Sequence, residues 1–269
     1  MVSYKIKVLS NILERDLRSF SKYSWWIIGL VLMNLADLFI LATTLTKITI
    51  GLNYFLYFTP GIAILATFSS AFLMGREINE EKRYGNELYL LALPLSRKIF
   101  IFGRTLAGAI RGIIYSVSLL ILAIVFTSTS KIISDFSIGF VFIPYRTFVE
   151  HVILFLISLG ILFLTSLGMS GFSIAIGTSI KKFENYALSR SFASLWLMFG
   201  STAYYPREKM PEIMALFTDF NPLSYGVNIL RGLLFNLPIR VIDILGLIIF
   251  AVSMLFLCYY TYNRATHGD

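Results

Sequence analysis

Charge is scarce in this sequence. Only 14% of its 269 residues are Asp, Glu, Lys or Arg, where a soluble domain carries about 25%. That leaves too little polar surface to coat a globule in water, so lipid is the expected solvent for much of the chain. Cysteine is nearly absent: Cys258 stands alone and can form no internal disulfide. With only two histidines beside it, a zinc site built by the protein is not expected. The dipeptide Gly-Lys never occurs, which excludes a phosphate-binding loop of the G-x-x-x-x-G-K-[ST] type. The longest uninterrupted polar segment, residues 76–98, has room for a helix or two and for no ATPase.

What is present is apolar length. Hydrophobic residues make up 57% of the chain, and the mean hydropathy is +0.76. A bilayer-spanning helix takes roughly 20 apolar residues. Six stretches meet that length, at 24–45, 54–75, 104–126, 148–180, 186–205 and 241–262. The predicted fold is therefore an all-α polytopic membrane protein, one transmembrane domain over residues 1–269. Pro60-Gly61 is expected to start or kink the second span. The fourth is long, and is expected to be tilted or broken near Gly160, Gly168, Gly171 and Gly177. No cleavable signal peptide is expected, because the first apolar run starts near Ser24 and is too long for a leader's apolar region.

Residues 1–23 precede the spans. Ile6, Leu9, Leu13, Leu17 and Phe20 fall at helical spacing, with Lys7, Asn11, Arg15 and Arg18 roughly opposite. That pattern predicts an amphipathic helix lying in the membrane interface. Trp25 and Trp26 then anchor the first span. The formal net charge of +8 is read as topology rather than nucleic-acid binding. With the N-terminus inside, Lys and Arg in the inner loops outnumber the outer ones more than two to one. Both termini are expected in the cytoplasm, as an even number of spans requires.

Charges inside a bilayer are candidate functional sites. Asn34 and Asp37 share a face of the first span, where they either line a polar pathway or make an interhelical hydrogen bond. Arg111 lies a turn or two inside the third span and is expected to snorkel to the surface. Gly168-Met169-Ser170-Gly171 has the form found around the nucleophile of rhomboid-type intramembrane proteases. A serine nucleophile needs a base in reach. His151 lies in the same apolar run, about 28 Å away along a continuous helix, and His267 lies in the polar tail. The alternative reading is a stretch of small residues for close helix packing.

The segment from Glu77 to Leu88 reads Glu-Ile-Asn-Glu-Glu-Lys-Arg-Tyr-Gly-Asn-Glu-Leu. Pro94-Leu95-Ser96-Arg97 and Gly103-Arg104 follow. Glu77, Glu80 and Glu81 have the spacing of one helix face, and an acidic face invites a basic protein partner. Further on, Asn221-Pro222-Leu223-Ser224-Tyr225 precedes Leu230-Arg231-Gly232. Asn221 is a helix cap with Pro222 at the first helical position, opening a helix too short to span.

In this order the elements resemble the ABC type-2 permeases, the membrane subunits of drug, lipid and polysaccharide exporters. The likeness covers nearly the whole chain and departs at Asn86, where the family often has Thr. It implies a coupling helix between spans two and three, docking on a separate cytoplasmic ATPase through Glu77, Glu80, Glu81, Arg83, Gly85, Glu87, Pro94 and Arg97. It implies a re-entrant outer hairpin over residues 206–240, with Asn221, Pro222, Tyr225 and Arg231 at an outer gate. Expected partners are that ATPase, which holds the ATP and Mg, a second permease copy or close paralogue, and membrane lipid. No cofactor is expected in this chain, no enzymatic activity, and no nucleic acid. The expected location is the cell membrane. The alternatives are a membrane anchor or assembly factor without transport, and the intramembrane protease.

Overall fold

The computed structural model describes residues 2–22, 24–48, 54–86, 96–128 and 147–267. Among them the regular structure is helical. In chain order α1 is Val2–Ser21, α2 Ser24–Ile48, α3 Tyr54–Ala71, α4 Met74–Arg83 and α5 Arg97–Ser128. α6 is Phe148–Ser179, α7 Phe183–Phe199, α8 Glu212–Asp219, α9 Pro222–Phe235 and α10 Val241–His267. Glu87, Pro94 and the segment between the expected third and fourth spans, 129–146, lie outside the described residues.

Among the described residues four helical stretches are long and apolar enough to cross a bilayer: Tyr54–Arg83 (α3 with α4), Arg97–Val125, Phe148–Ser179 and Val241–Thr266. Val31–Leu45 within α2 adds a shorter apolar helix. α7, at the expected fifth span, has 17 residues and stops at Phe199, with Gly200 as its cap. Residues 200–205 form turns.

α3 is the buried axis of the bundle. All but a few of its side chains are enclosed, chiefly by α2, α5, α6 and α9. Pro60 does not start this helix, which begins ahead of it at Tyr54. Gly61 lets the chain at Ala203 approach: a Cβ there would meet the Ala203 carbonyl oxygen at 2.9 Å.

α6 is one unbroken helix of 32 residues, so of the two expectations, tilt or a break near the glycines, the break is not found. Gly168, Gly171 and Gly177 face neighbours instead of interrupting it, while Gly160 faces open space. A Cβ at Gly168 would strike the Phe250 ring at 2.6 Å, and one at Gly171 the Met254 carbonyl oxygen at 2.9 Å. Where lipid replaces water, helices associate through close van der Waals contact, which small residues permit. α10 accordingly packs along α6. Thr147 and Glu150 form a reciprocal capping box at the start of α6, satisfying orphan backbone donors there.

α1 is helical as predicted, but its packed stripe is shifted. The enclosed side chains are Val8, Ile12 and Asp16. Ile6 is 61% exposed, while Leu9, Leu13, Leu17 and Phe20 are half-buried. The cause is Gly103 on α5, which admits Ile12 and Leu9 against the helix backbone. One face of α1 thus meets protein and an adjoining apolar face stays uncovered within the chain.

Candidate functional site

α4 carries the charged segment singled out in the sequence, and the fold ties it down on two sides. One side is apolar and small: Met74, Gly75, Ile78 and Asn79 are buried. Gly75 lies so close to α6 that a Cβ would overlap the Ser173 carbonyl. Its N–H donates to Ser173 Oγ at 3.0 Å. Asn79 Nδ2 donates to the carbonyls of Gly177 at 3.2 Å and Ile180 at 2.8 Å. Lys82 Nζ donates to the Thr178 carbonyl at 2.9 Å. The last carbonyls of a helix have no partner within it and carry the negative end of its dipole. α4 supplies donors to that end of α6, one of them a cation.

The other side of α4 meets arginines. Arg111 Nη1 donates to Glu77 Oε1 at 2.5 Å, and its Nη2 donates to the Asp16 carbonyl. Arg104 Nη1 lies 2.7 Å from Glu81 Oε1 and 3.4 Å from Asp16 Oδ1. Arg15 pairs with Asp16 at 2.9 Å and approaches Glu81 at 3.7 Å. Arg104 and Arg111 are each 1% exposed. A buried cation persists only when paired; these carboxylates supply the opposite charge, while Arg104 Nε and Nη2 and Arg111 Nε have no hydrogen-bond partner among the described residues. Arg111 therefore does not snorkel; Glu77 and α1 come to it, and its guanidinium stands 5.3 Å from the Phe20 ring centre.

Of the three glutamates on the acidic face, two are thus spent within the chain. Glu80, half-buried like Glu77, pairs within its own helix, with Arg76 at 2.8 Å. Arg83 is exposed beside Tyr84, which is 70% exposed. Gly85 follows at φ +72°, a left-handed conformation that glycine takes at no steric cost. A cavity of about 650 Å³ opens beside this helix, lined by Arg15, Asp16, Arg76, Glu77, Glu80, Glu81 and Arg104 among others. Arg97 is not part of the cluster; it faces Asn263 of α10 at 3.5 Å.

The remaining candidates lie elsewhere. Asn34 Nδ2 donates to the hydroxyl of Tyr115 on α5 at 2.7 Å, an interhelical bond, with Asp37 half-buried nearby on the same helix. Asn221 caps α9 by accepting from Leu223 N at 3.0 Å and donates to the Leu197 carbonyl at 2.9 Å. Pro222 opens α9 as predicted. Tyr225 donates to the Asp219 carbonyl at 2.8 Å. Arg231, 9% exposed, donates to the carbonyls of Tyr57 and Ala203 at 3.0 and 3.2 Å. Its guanidinium stands 3.6 Å from the Tyr57 ring centre. On the surface of this segment Arg207 grips Asp219 by two bonds of 2.7 and 2.6 Å. Those bonds hold the Asp219 carboxyl below the usual carboxylate range.

Ser170 is buried and faces Gly108 on α5. His151 Nδ1 lies 2.8 Å from the Thr147 carbonyl at the far, exposed start of the same helix. The two residues do not meet, and the small-residue reading of this stretch holds.

Sequence reasoning missed Asp16, Arg104 and Arg111 as members of the site. A signal was available. Arg104 and Arg111 are seven positions apart, hence on one helical face, and a repeated arginine on a spanning helix calls for anionic partners.

Residues 8–235 match the family model of the ABC-2 type transporter. No curated protein matches the chain. The matched region runs from within α1 to the last residue of α9. It takes in the tethered α4, both arginines that bind it, and the capped α9 helix. The chain is a multi-pass membrane protein and belongs to the ABC-2 type transporter family.

Proposed function

We propose that the chain is the membrane-spanning permease of an exporter powered by separate ATP-binding-cassette subunits. The substrate class is amphipathic: a lipid, a drug or a glycoconjugate. Two copies, or one copy and a close paralogue, form the membrane unit. ATP and Mg²⁺ stay with the partner ATPase, and this chain binds no cofactor and catalyses no reaction. In this reading α2, α3, α5, α6, α7 and α10 cross the cell membrane, and both termini are cytoplasmic.

The observation that carries the reading is the double tether of α4. A displacement of this short helix pulls on α5 through Glu77–Arg111 and Glu81–Arg104. It pulls on α6 through the Asn79 and Lys82 hydrogen bonds. α4 is therefore suited to pass a push from an ATPase into the bundle. Glu80, Arg83 and Gly85, with the neighbouring Tyr84, offer the docking surface. Glu77 and Glu81 transmit, and Glu87, Pro94 and Arg97 complete the set of proposed coupling residues.

Other observations support the remaining parts. α7 leaves Leu188, Phe192 and Leu195 more than half exposed, and α2 leaves Leu32 and Met33 likewise. Lipid or a second copy would cover them, with the pathway beside Asn34 and Asp37. α9 has 14 residues, about 21 Å of helix, too short to span. Eleven of those residues are buried, as a re-entrant segment requires at membrane depth. Arg231 and Tyr225 would then hold the outer gate against α3 and α8.

Affinity purification of the tagged chain from its native membrane, followed by mass spectrometry, tests the proposal. A stoichiometric cassette-type ATPase is expected. A clean preparation without one, under conditions that keep weak complexes, sinks it.

A further inference from the structure

A second cavity, also about 650 Å³, lies between α1, α5 and α10. Sites that enclose small ligands run from roughly 300 to 1,000 Å³. Its character is the reverse of the cavity beside α4, where arginines and carboxylates alternate. Here the walls are apolar, formed by side chains such as Ile6, Leu9, Phe102, Leu255 and Phe256. The charged residues lining it are Lys5 and Lys98, and no carboxylate stands among them. Both lysines are exposed. Lys98 Nζ lies 5.6 Å from the centre of the Tyr259 ring, which also lines the groove.

The place in the fold narrows the occupant. α1 leans on α5, and the groove separates it from α10. Phe256 is 71% exposed and Phe102 47% exposed, on helices long and apolar enough to cross the bilayer. The groove therefore opens where the membrane surface meets its apolar core. A soluble anion would match the lysines and leave the apolar wall wet. A neutral hydrocarbon would match the wall and leave two cations unmatched. An anionic amphiphile matches both, and basic pockets between spanning helices take acidic headgroups.

We infer that this groove binds one anionic glycerophospholipid of the surrounding leaflet, its phosphate between Lys5 and Lys98 and an acyl chain along Phe102, Leu255 and Phe256. The bound lipid fills the space that separates α1 from α10 and fastens the interfacial helix to the bundle. The inference rests on the multi-pass membrane placement alone, not on the transport reading.

Native mass spectrometry of the full-length protein tests it, after delipidation and re-addition of phosphatidylglycerol or phosphatidylcholine at equal concentration. One phosphatidylglycerol per chain should be retained in preference to phosphatidylcholine, and excess inorganic phosphate should not displace it. Lys5→Gln and Lys98→Gln should each weaken retention about fivefold, and the pair about thirtyfold. K5R/K98R should restore it. Equal retention of the two lipids, displacement by phosphate alone, or an unchanged K5Q/K98Q variant would overturn the assignment. So would a cross-linked dimer formed through cysteines placed at Phe102 and Phe256, which would put a second copy in the groove.

Discussion

Arg104 Nη1 lies 2.7 Å from Glu81 and 3.4 Å from Asp16, so one buried guanidinium on α5 holds α4 and α1 together. The two carboxylates come from segments 65 positions apart in sequence, and the arginine lies beyond both. Removing one partner of a buried ion pair leaves the other charge without compensation in a low dielectric.

Arg104→Met should therefore cost on the order of 3–5 kcal/mol and lower the melting temperature of the detergent-purified protein. Fluorescence-detected size-exclusion chromatography after a heat step reads this. A melting temperature equal to wild type would contradict the buried-network account.

The glutamates of α4 should behave differently from one another. Glu81→Lys sets a cation against Arg104 and should destabilise the fold. Glu80→Lys changes a half-buried side chain at the helix surface and Arg83→Glu an exposed one; both should leave the melting temperature nearly unchanged while reducing co-purification of the ATPase. Intact co-purification in the Glu80→Lys, Arg83→Glu double variant would remove the docking assignment.

Close approach of α4 to α6 makes Gly75 intolerant. In Gly75→Ala the new methyl meets the Ser173 backbone, which cannot yield as a flexible side chain would. The α4–α6 hydrogen bonds should be lost, and amide exchange across residues 74–83 should accelerate at least tenfold. Gly160→Ala is the matched control, because nothing lies within 4 Å of a Cβ there; its exchange pattern should equal wild type.

The Arg207–Asp219 pair gives the outer segment a pH dependence of known sign. The folded-state carboxyl is held below its ordinary value. Its stabilising effect is thus complete above the unfolded value of about 3.9 and disappears as pH falls through the lower folded value. Protection of the amides over residues 207–220 should hold at neutral pH and weaken only below about pH 4. In Arg207→Ala protection should already be lower at neutral pH, and the further weakening below about pH 4 should disappear. An identical profile in the variant would show that the pair has no part in ordering the segment.

Local pattern carries far in a membrane protein. The apolar runs around Ile62, Leu119, Leu162 and Leu247 were legible because lipid demands about 20 apolar residues at a stretch. The Asn221–Pro222 start of α9 was legible because a cap and a proline act within a few residues. So was the helical segment bearing Glu77 and Glu81, and with it the family. The fate of those carboxylates was not. An acidic face on an isolated helix looks outward, whereas in the fold Arg104 and Arg111 claim Glu81 and Glu77.

That this is a helical membrane protein of the ABC-2 type transporter family follows from the residue order, since hydropathy, caps and short ordered motifs are local properties. Packing between distant segments sets the rest: α6 runs unbroken, α1 turns Val8, Ile12 and Asp16 to the bundle, and Arg111 stays buried. Each of these depends on what a distant segment brings within a few ångströms: Phe250 and Met254 against the α6 glycines, Gly103 beneath α1, Glu77 beside Arg111. Spacing along one helix fixes which side chains share a face. It does not say what will lie opposite that face, and for a buried charge the opposite side chain decides whether it can remain there.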